Sequence, residues 1–285
     1  MQFIGLGRWL FAAGMIGLGI LGLIYGDFAL VWQRVPPWVP WRAALAYGCG
    51  AVMLAGGIGL CWPPATALAS RILLVYLLLW FLLLRVTQVA VTPLVADAWG
   101  GIGENGQMLA GGLVLFTVLG MRQTGLEVAV AGKGIRIARI IFGIALLLCG
   151  LPHFAYAPLA AEYWVPAWLP WHLGWVYLTG AGFIAAGIGV LFGIYPRLST
   201  TLAVGMMGAF TLLDWLPTVL GSRYAPALSP DPSSVTDRFA WTGLVISWSI
   251  TTAAWVVADS YRHIPWLAAV PYFRAVRRAD SPARR

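Results

Sequence analysis

The 285-residue sequence predicts an all-α membrane protein with eight transmembrane helices. Three observations carry that expectation. Hydrophobic residues make up 60% of the chain and charged residues only 10%, whereas a water-soluble domain carries about a quarter charged residues. The mean hydropathy is +0.82, and the apolar residues gather into eight runs long enough for the roughly 20-residue helix that crosses a bilayer. Sixteen tryptophans are present, a residue that concentrates at the membrane–water interface.

The first predicted span, 9–26, follows Arg8 and has the apolar core of a secretory signal. No small-x-small cleavage site follows it, and further spans do, so it reads as a permanent helix. The stretch "VPPWVPW", 35–41, ends it: prolines halt a helix and force extended or turn backbone. Its tryptophans suggest a half-buried cap over the bundle mouth. Spans 43–61 and 70–93 follow, the first rich in small residues, the second leucine-rich and carrying Arg85. Span 104–121 begins at Glu104 and is rich in glycine.

A basic connection, 123–137, leads to span 138–156. Then the Pro/Trp motif returns as "VPAWLPW", 165–171, before span 171–192. Span 197–220 carries Asp214, the Pro/Ser-rich segment 221–237 follows, and span 238–259 leads into a basic tail, 261–285. Backbone polar groups cannot stay unpaired in hydrocarbon, so these spans should be helices rather than open strands.

The two Pro/Trp stretches lie 130 residues apart, and the match continues along the chain. Tyr47 falls on Tyr177, Gly50-Ala51 on Gly180-Ala181, and "GIG" 57–59 on "GIG" 187–189; "GLV" 112–114 falls on "GLV" 243–245 one residue further on. The pattern predicts a tandem duplication: residues 1–122 and 138–260 as two four-helix units, in the same orientation because four is even, joined by the cytoplasmic linker 123–137.

Thirteen of the eighteen basic residues, from Arg8 through Arg71, Arg139 and Arg197 to Arg285, fall on one set of connections and tails. By the positive-inside rule both termini are cytoplasmic, in the cell membrane (the inner membrane of a bacterium). That excess reads as orientation, and the tail as a segment near anionic lipid, not as a nucleic-acid surface. Cys49, Cys61 and Cys149 form no C-x-x-C pair and read as small apolar packing residues.

Ionisable residues inside a membrane are costly and mark function by default. Arg85 lies about 21 Å along its helix from Arg71, and Asp214 about 25 Å from Arg197, at 1.5 Å per residue. Each heads a polar stripe: Arg85, Gln88 and Thr92 on one helix, Thr211, Asp214 and Thr218 on the other. The stripes should face the interior, either as an Arg85–Asp214 ion pair joining the halves or as a binding site. His153, Tyr156 and His172 fall at a similar level, with Tyr47, Tyr177, Glu104, Gln107, Asp237 and Arg238. A polar vestibule under the tryptophan segments is the expectation, with Arg85, Gln88, Asp214, His153, Tyr156 and His172 as its binding residues. His153 and His172 with Glu162 give an incomplete ligand set, so no metal or haem site is assigned. The other half of each span lacks the relay groups that a pump requires. No nucleotide or hydrolase motif is present, and no catalytic residue is assigned.

Residues 148–193 resemble the DoxX-like membrane proteins. Gly150, His153 and Phe154 end the unit's first helix, Val165-Pro166 and Leu169-Pro170 form the linker, and Tyr177, Gly180 and Gly187 mark the next helix. The first unit departs from this pattern, with Leu23 and Ile24 in place of His153 and Phe154. Where many relatives carry a glutamate, this chain has Phe183 and, in the first unit, Met53. The resemblance implies a four-helix fold per unit and says less about activity: the family takes its name from subunits linked to quinone-dependent oxidation of sulfur compounds, and many members have no assigned reaction. The expectations are therefore an accessory, quinone-binding component of a membrane redox system, working with a redox partner subunit. The alternatives are a non-enzymatic binder or carrier of a small hydrophobic molecule or lipid, and a structural or assembly subunit.

Overall fold

The computed structural model describes residues 4–120, 128–220 and 237–269. Most of the predicted tail, the segment 221–236 and part of the basic linker lie outside the described residues. The described chain is helical, and its only β pairing is an isolated bridge between Ile194 and Ala269.

Eight helical segments are long and apolar enough to cross a membrane. In chain order, α1 is Ile4–Tyr25 and α2 is Arg42–Cys61. Helix α3, Thr66–Trp80, continues through a π-helical turn, Phe81–Val86, into α4, Thr87–Val91. Helix α5, Ala96–Leu115, ends in a second π turn, Phe116–Gly120. Helix α6 is Val128–Ala155, α7 is the short Ala157–Tyr163, and α8 is His172–Phe192. Helix α9, Pro196–Phe210, passes through a third π turn, Thr211–Trp215, into α10, Leu216–Val219, and α11 is Asp237–Asp259.

The fourth span begins at Ala96, eight residues before the predicted start at 104. Glycines and polar residues dilute the hydropathy of "ADAWGGIGENGQ", so an apolar threshold misses these first turns. Glu104 therefore stands two turns inside the helix and not at its mouth.

Each span packs on the next, α1 on α2, α2 on α3, α3 on α5, α5 on α6, α6 on α8, α8 on α9 and α9 on α11, and α11 returns to α1. Helices α5 and α11 also pack on each other, which divides the bundle into two rings sharing that edge. These two are accordingly the most buried spans. Without a hydrophobic drive between helices in lipid, close packing depends on small residues. On α1 and α2, a Cβ at Gly19 would lie 2.7 Å from the Gly50 carbonyl oxygen, and one at Gly57 2.8 Å from that of Ala12. On α6 and α8, a Cβ at Gly187 would meet the Gly143 carbonyl at 2.8 Å. The glycines of the sequence repeat are thus the contact points of these helix pairs.

Both Pro/Trp stretches are non-helical and half-buried, with Val165 and Leu169 packed inward, but their tryptophans point out. Trp41 is 85% exposed and Trp171 is 84% exposed, and Trp38 and Trp168 are exposed too. Both Trp41 (φ 53°) and Trp171 (φ 71°) adopt left-handed backbone immediately before α2 and α8. That conformation is a rarity for a bulky residue. It turns each indole away from the bundle, where lipid interface suits it better than a protein core.

At the end carrying Arg71, Arg139 and Arg197, residues 260–269 fold back across the helix ends. Arg139 donates to the Ser260 hydroxyl at 3.0 Å and to its carbonyl, and covers the Tyr261 ring at 3.8 Å. Arg197 donates to the Ile264 carbonyl at 3.1 Å and lies 4.0 Å over the Trp266 ring.

Candidate functional site

Arg85 sits in the π turn that interrupts the third span, and only 3% of it is exposed. A π turn inserts an extra residue into a helix and is frequent where a side chain must be re-aimed. The guanidinium Nη1 donates to the Gln88 side-chain oxygen at 3.0 Å, and Nη2 stands 3.9 Å from a Glu104 carboxylate oxygen. Its Nε is buried with no hydrogen-bond partner among the described residues. The neighbouring face of α5 is cut away to admit it: a Cβ on Gly101 would lie 2.6 Å from Nη1.

Four residues beyond Gly101, on the same helical stripe, Asn105 is 1% exposed, and neither its amide nitrogen nor its amide oxygen has a partner among the described residues. Unpaired buried amides cost about 1–3 kcal/mol, so Asn105 is a second orphan on the Arg85 face of α5. Glu104 is the outlet of the cluster, with 39% of its side chain exposed. The Trp32 carbonyl accepts from the Trp80 indole at 3.0 Å.

Buried tryptophans outside the repeated motif, Trp32, Trp80 and Trp215, gather at the end of the bundle away from Arg71, Arg139 and Arg197. Trp215 packs against Trp32 at 5.7 Å, Trp164 at 5.4 Å and Phe239 at 5.6 Å between ring centroids. Its indole occupies the place of a side chain at Gly243, where a Cβ would lie 1.8 Å from the ring. Nearby, Asp27 fastens α11 to the first connection. Its carboxylate accepts from Arg42 at 2.6 Å, from Arg238 at 3.1 Å and from the Phe28 amide at 2.8 Å. Burial pushes the Asp27 carboxyl up, but the Phe28 amide and the two guanidiniums outweigh it and hold it below its ordinary value.

Of the six predicted binding residues, the structure joins Arg85 and Gln88 directly. Asp214 is buried, as its stripe predicts, yet no ion pair of the described residues connects it to Arg85; the partner of Arg85 is Glu104. His153 directs Nδ1 to the Cys149 carbonyl at 3.0 Å and packs against Phe183 and Phe210. Tyr156 is at the exposed rim, and His172 is the first residue of α8. Among the described residues no three His, Cys, Asp or Glu side chains gather as metal ligands.

Sequence reasoning missed Asn105 and the Trp32–Trp215 contact. The signal for Asn105 was a polar run, "GENGQ", that a helix places on two faces: Gln107 donates to the Cys149 sulfur at 3.2 Å on the α6 side, whereas Asn105 shares the stripe of Gly101. Compared with the models of known families, with characterised proteins and with solved structures, the chain matches none.

Proposed function

We propose that this chain is a DoxX-like membrane protein of two tandem four-helix units that binds a small lipophilic molecule with a carbonyl head, and that a quinone of a membrane redox system is the occupant. The observation that carries the reading is Arg85, buried in a π turn with its Nε unpartnered among the described residues. Translocon scales put an arginine at a helix centre at about +2.5–3.5 kcal/mol, a cost that a hydrogen-bonding ligand would offset. The residues fit a quinone: a carbonyl oxygen accepts, and Arg85 Nε and the Asn105 amide nitrogen both have a donor to give. No residue set for carrying electrons is part of the reading, so a partner subunit supplies the redox chemistry.

Several features support the tandem arrangement. The neighbours of α1, namely α2 and α11, correspond to those of α6, namely α8 and α5. The π turns starting at Phe81 and Thr211 stand at the offset of the Pro/Trp motifs, as do the left-handed Trp41 and Trp171. Arg71, Arg139 and Arg197 at one end support cytoplasmic termini in a bacterial inner membrane.

The test is the small-molecule content of gently purified full-length protein, by mass spectrometry of its extract, for the parent, Arg85→Leu and Glu104→Gln. The reading expects a quinone in the parent and its loss from Arg85→Leu while thermal stability holds. A bound lipid in place of quinone would make the protein a carrier. Preparations that hold no small molecule at all would sink both and leave Arg85 as helix glue.

A further inference from the structure

The first and third π turns present their side chains in one frame. Phe81–Val86 exposes Leu82 and Leu83 and buries Arg85. Thr211–Trp215 exposes Leu212 and Leu213 and buries Trp215, along with Thr211 and Asp214. Leu82, Leu83 and Arg85 stand 130 positions before Leu212, Leu213 and Trp215, the offset of the Pro/Trp motifs. Trp215 therefore holds in the second half of the chain the place of Arg85 in the first.

The receiving surfaces are alike too. Arg85 enters a notch at Gly101, in the second turn of α5, where a Cβ would lie 2.6 Å from Nη1. Trp215 enters one at Gly243, in the second turn of α11, where a Cβ would lie 1.8 Å from the ring. The contents of the two notches differ. Around the first, the Arg85 Nε and both polar atoms of the Asn105 amide are buried without partners among the described residues. Such groups are costly until something pairs with them. Around the second, the indole is enclosed by Trp32, Trp164 and Phe239, with ring centroids 5.7, 5.4 and 5.6 Å away. None of these three tryptophans has a buried side-chain nitrogen left unpaired. Ring packing of this kind is favourable by itself and asks for no ligand.

We propose that Trp215 closes, in the second half, the counterpart of the Arg85 site, so that the duplicated chain holds one lipophilic ligand and not two. The proposal rests on the tandem reading and on Arg85 as the ligand's anchor. The indole takes the space in which a ligand head would lie and brings no orphaned donor with it. It also serves the first site as a wall: Trp215 packs on Trp32, whose carbonyl holds the Trp80 indole on the span of Arg85. One copy of the unit binds, and the other has become its support.

The experiment uses the full chain in lipid nanodiscs and two probes. The first is a short-chain benzoquinone, counted per chain at saturation against empty nanodiscs. One equivalent is expected in the parent and none in Arg85→Leu. Two equivalents in the parent, or one that survives in Arg85→Leu, overturn the proposal. The second probe is indole, added to Trp215→Ala. An apolar cavity of this kind stays dry and takes up aromatic molecules, and a ligand of the folded state raises stability with its concentration. Indole should therefore raise the melting temperature of Trp215→Ala and leave that of the parent unchanged. No rise in the variant, or an equal rise in both, overturns the closure. If Trp215→Ala fails to fold, Trp215→Leu with benzene replaces it under the same criteria. A parent that binds no benzoquinone overturns the ligand reading of Arg85, and with it the count of one, whereas the closure of the second notch stands or falls with the indole arm.

Discussion

Arg85 and Gly101 are packed so closely that a Cβ on Gly101 would lie 2.6 Å from the Arg85 Nη1 and 2.9 Å from its Cζ. The contact couples the π turn of the third span to α5 without any hydrogen bond. Gly101→Ala should therefore displace the guanidinium from Gln88 and Glu104 and destabilise the protein by about 1–3 kcal/mol, the usual range for overpacking. Gly48→Ala is the control, because nothing lies within 4 Å of its added methyl. Melting curves of the two variants in the same detergent check this, and equal curves would contradict it.

The Asp27 clamp predicts an acid limit to stability. The folded state holds this carboxyl below its ordinary value of 3.8. A lowered folded-state pKa contributes stability that is complete above the unfolded value and is lost as pH falls through the folded one. Melting temperature should hold from neutral pH down to about pH 5 and then decline toward pH 3. Asp27→Asn should be less stable at neutral pH, by about 1–2 kcal/mol for partly exposed charge-assisted bonds, and show less of the acid decline. An acid limb identical in the variant would assign the decline to other carboxylates.

The tryptophans should divide into two classes by quenching. Trp38, Trp41, Trp168 and Trp171 are exposed, while Trp32, Trp80 and Trp215 are buried. In vesicles containing brominated lipid, a variant keeping only Trp41 and Trp171 should lose most of its fluorescence. One keeping only Trp32 and Trp215 should be quenched far less. Similar quenching of both would return the repeated motif to the bundle mouth.

Span number and helix type were legible because lipid imposes them: a run of apolar residues of bilayer length has few alternatives to a helix. The burial of Arg85 and Asp214 was legible for a related reason, since charge in hydrocarbon must turn inward. The partner of Arg85 was not. Both Asp214 and Glu104 lie at suitable levels in the sequence, and the choice depends on the ring order that sets the third span beside α5. The π turns left no mark that hydrophobic spacing could reveal. The repeated tryptophans were conspicuous and were read as a cap, yet burial fell to Trp32 and Trp215, which sit outside the motif. An interfacial tryptophan and a buried one look alike in sequence; left-handed backbone at Trp41 and Trp171 separates them.

The contact between α1 and α11 also bears on how the molecule can be made. A ribosome delivers α1 to the membrane long before α11, yet α1 packs against it and Asp27 waits for Arg238. Until α11 arrives, one flank of α1 faces lipid with the small residues Gly7, Gly14 and Gly17 that later receive Val256, Ser249 and Val245. That flank of α1 therefore stays open through most of translation, and the ring closes only when α11 enters between α1, α5 and α9.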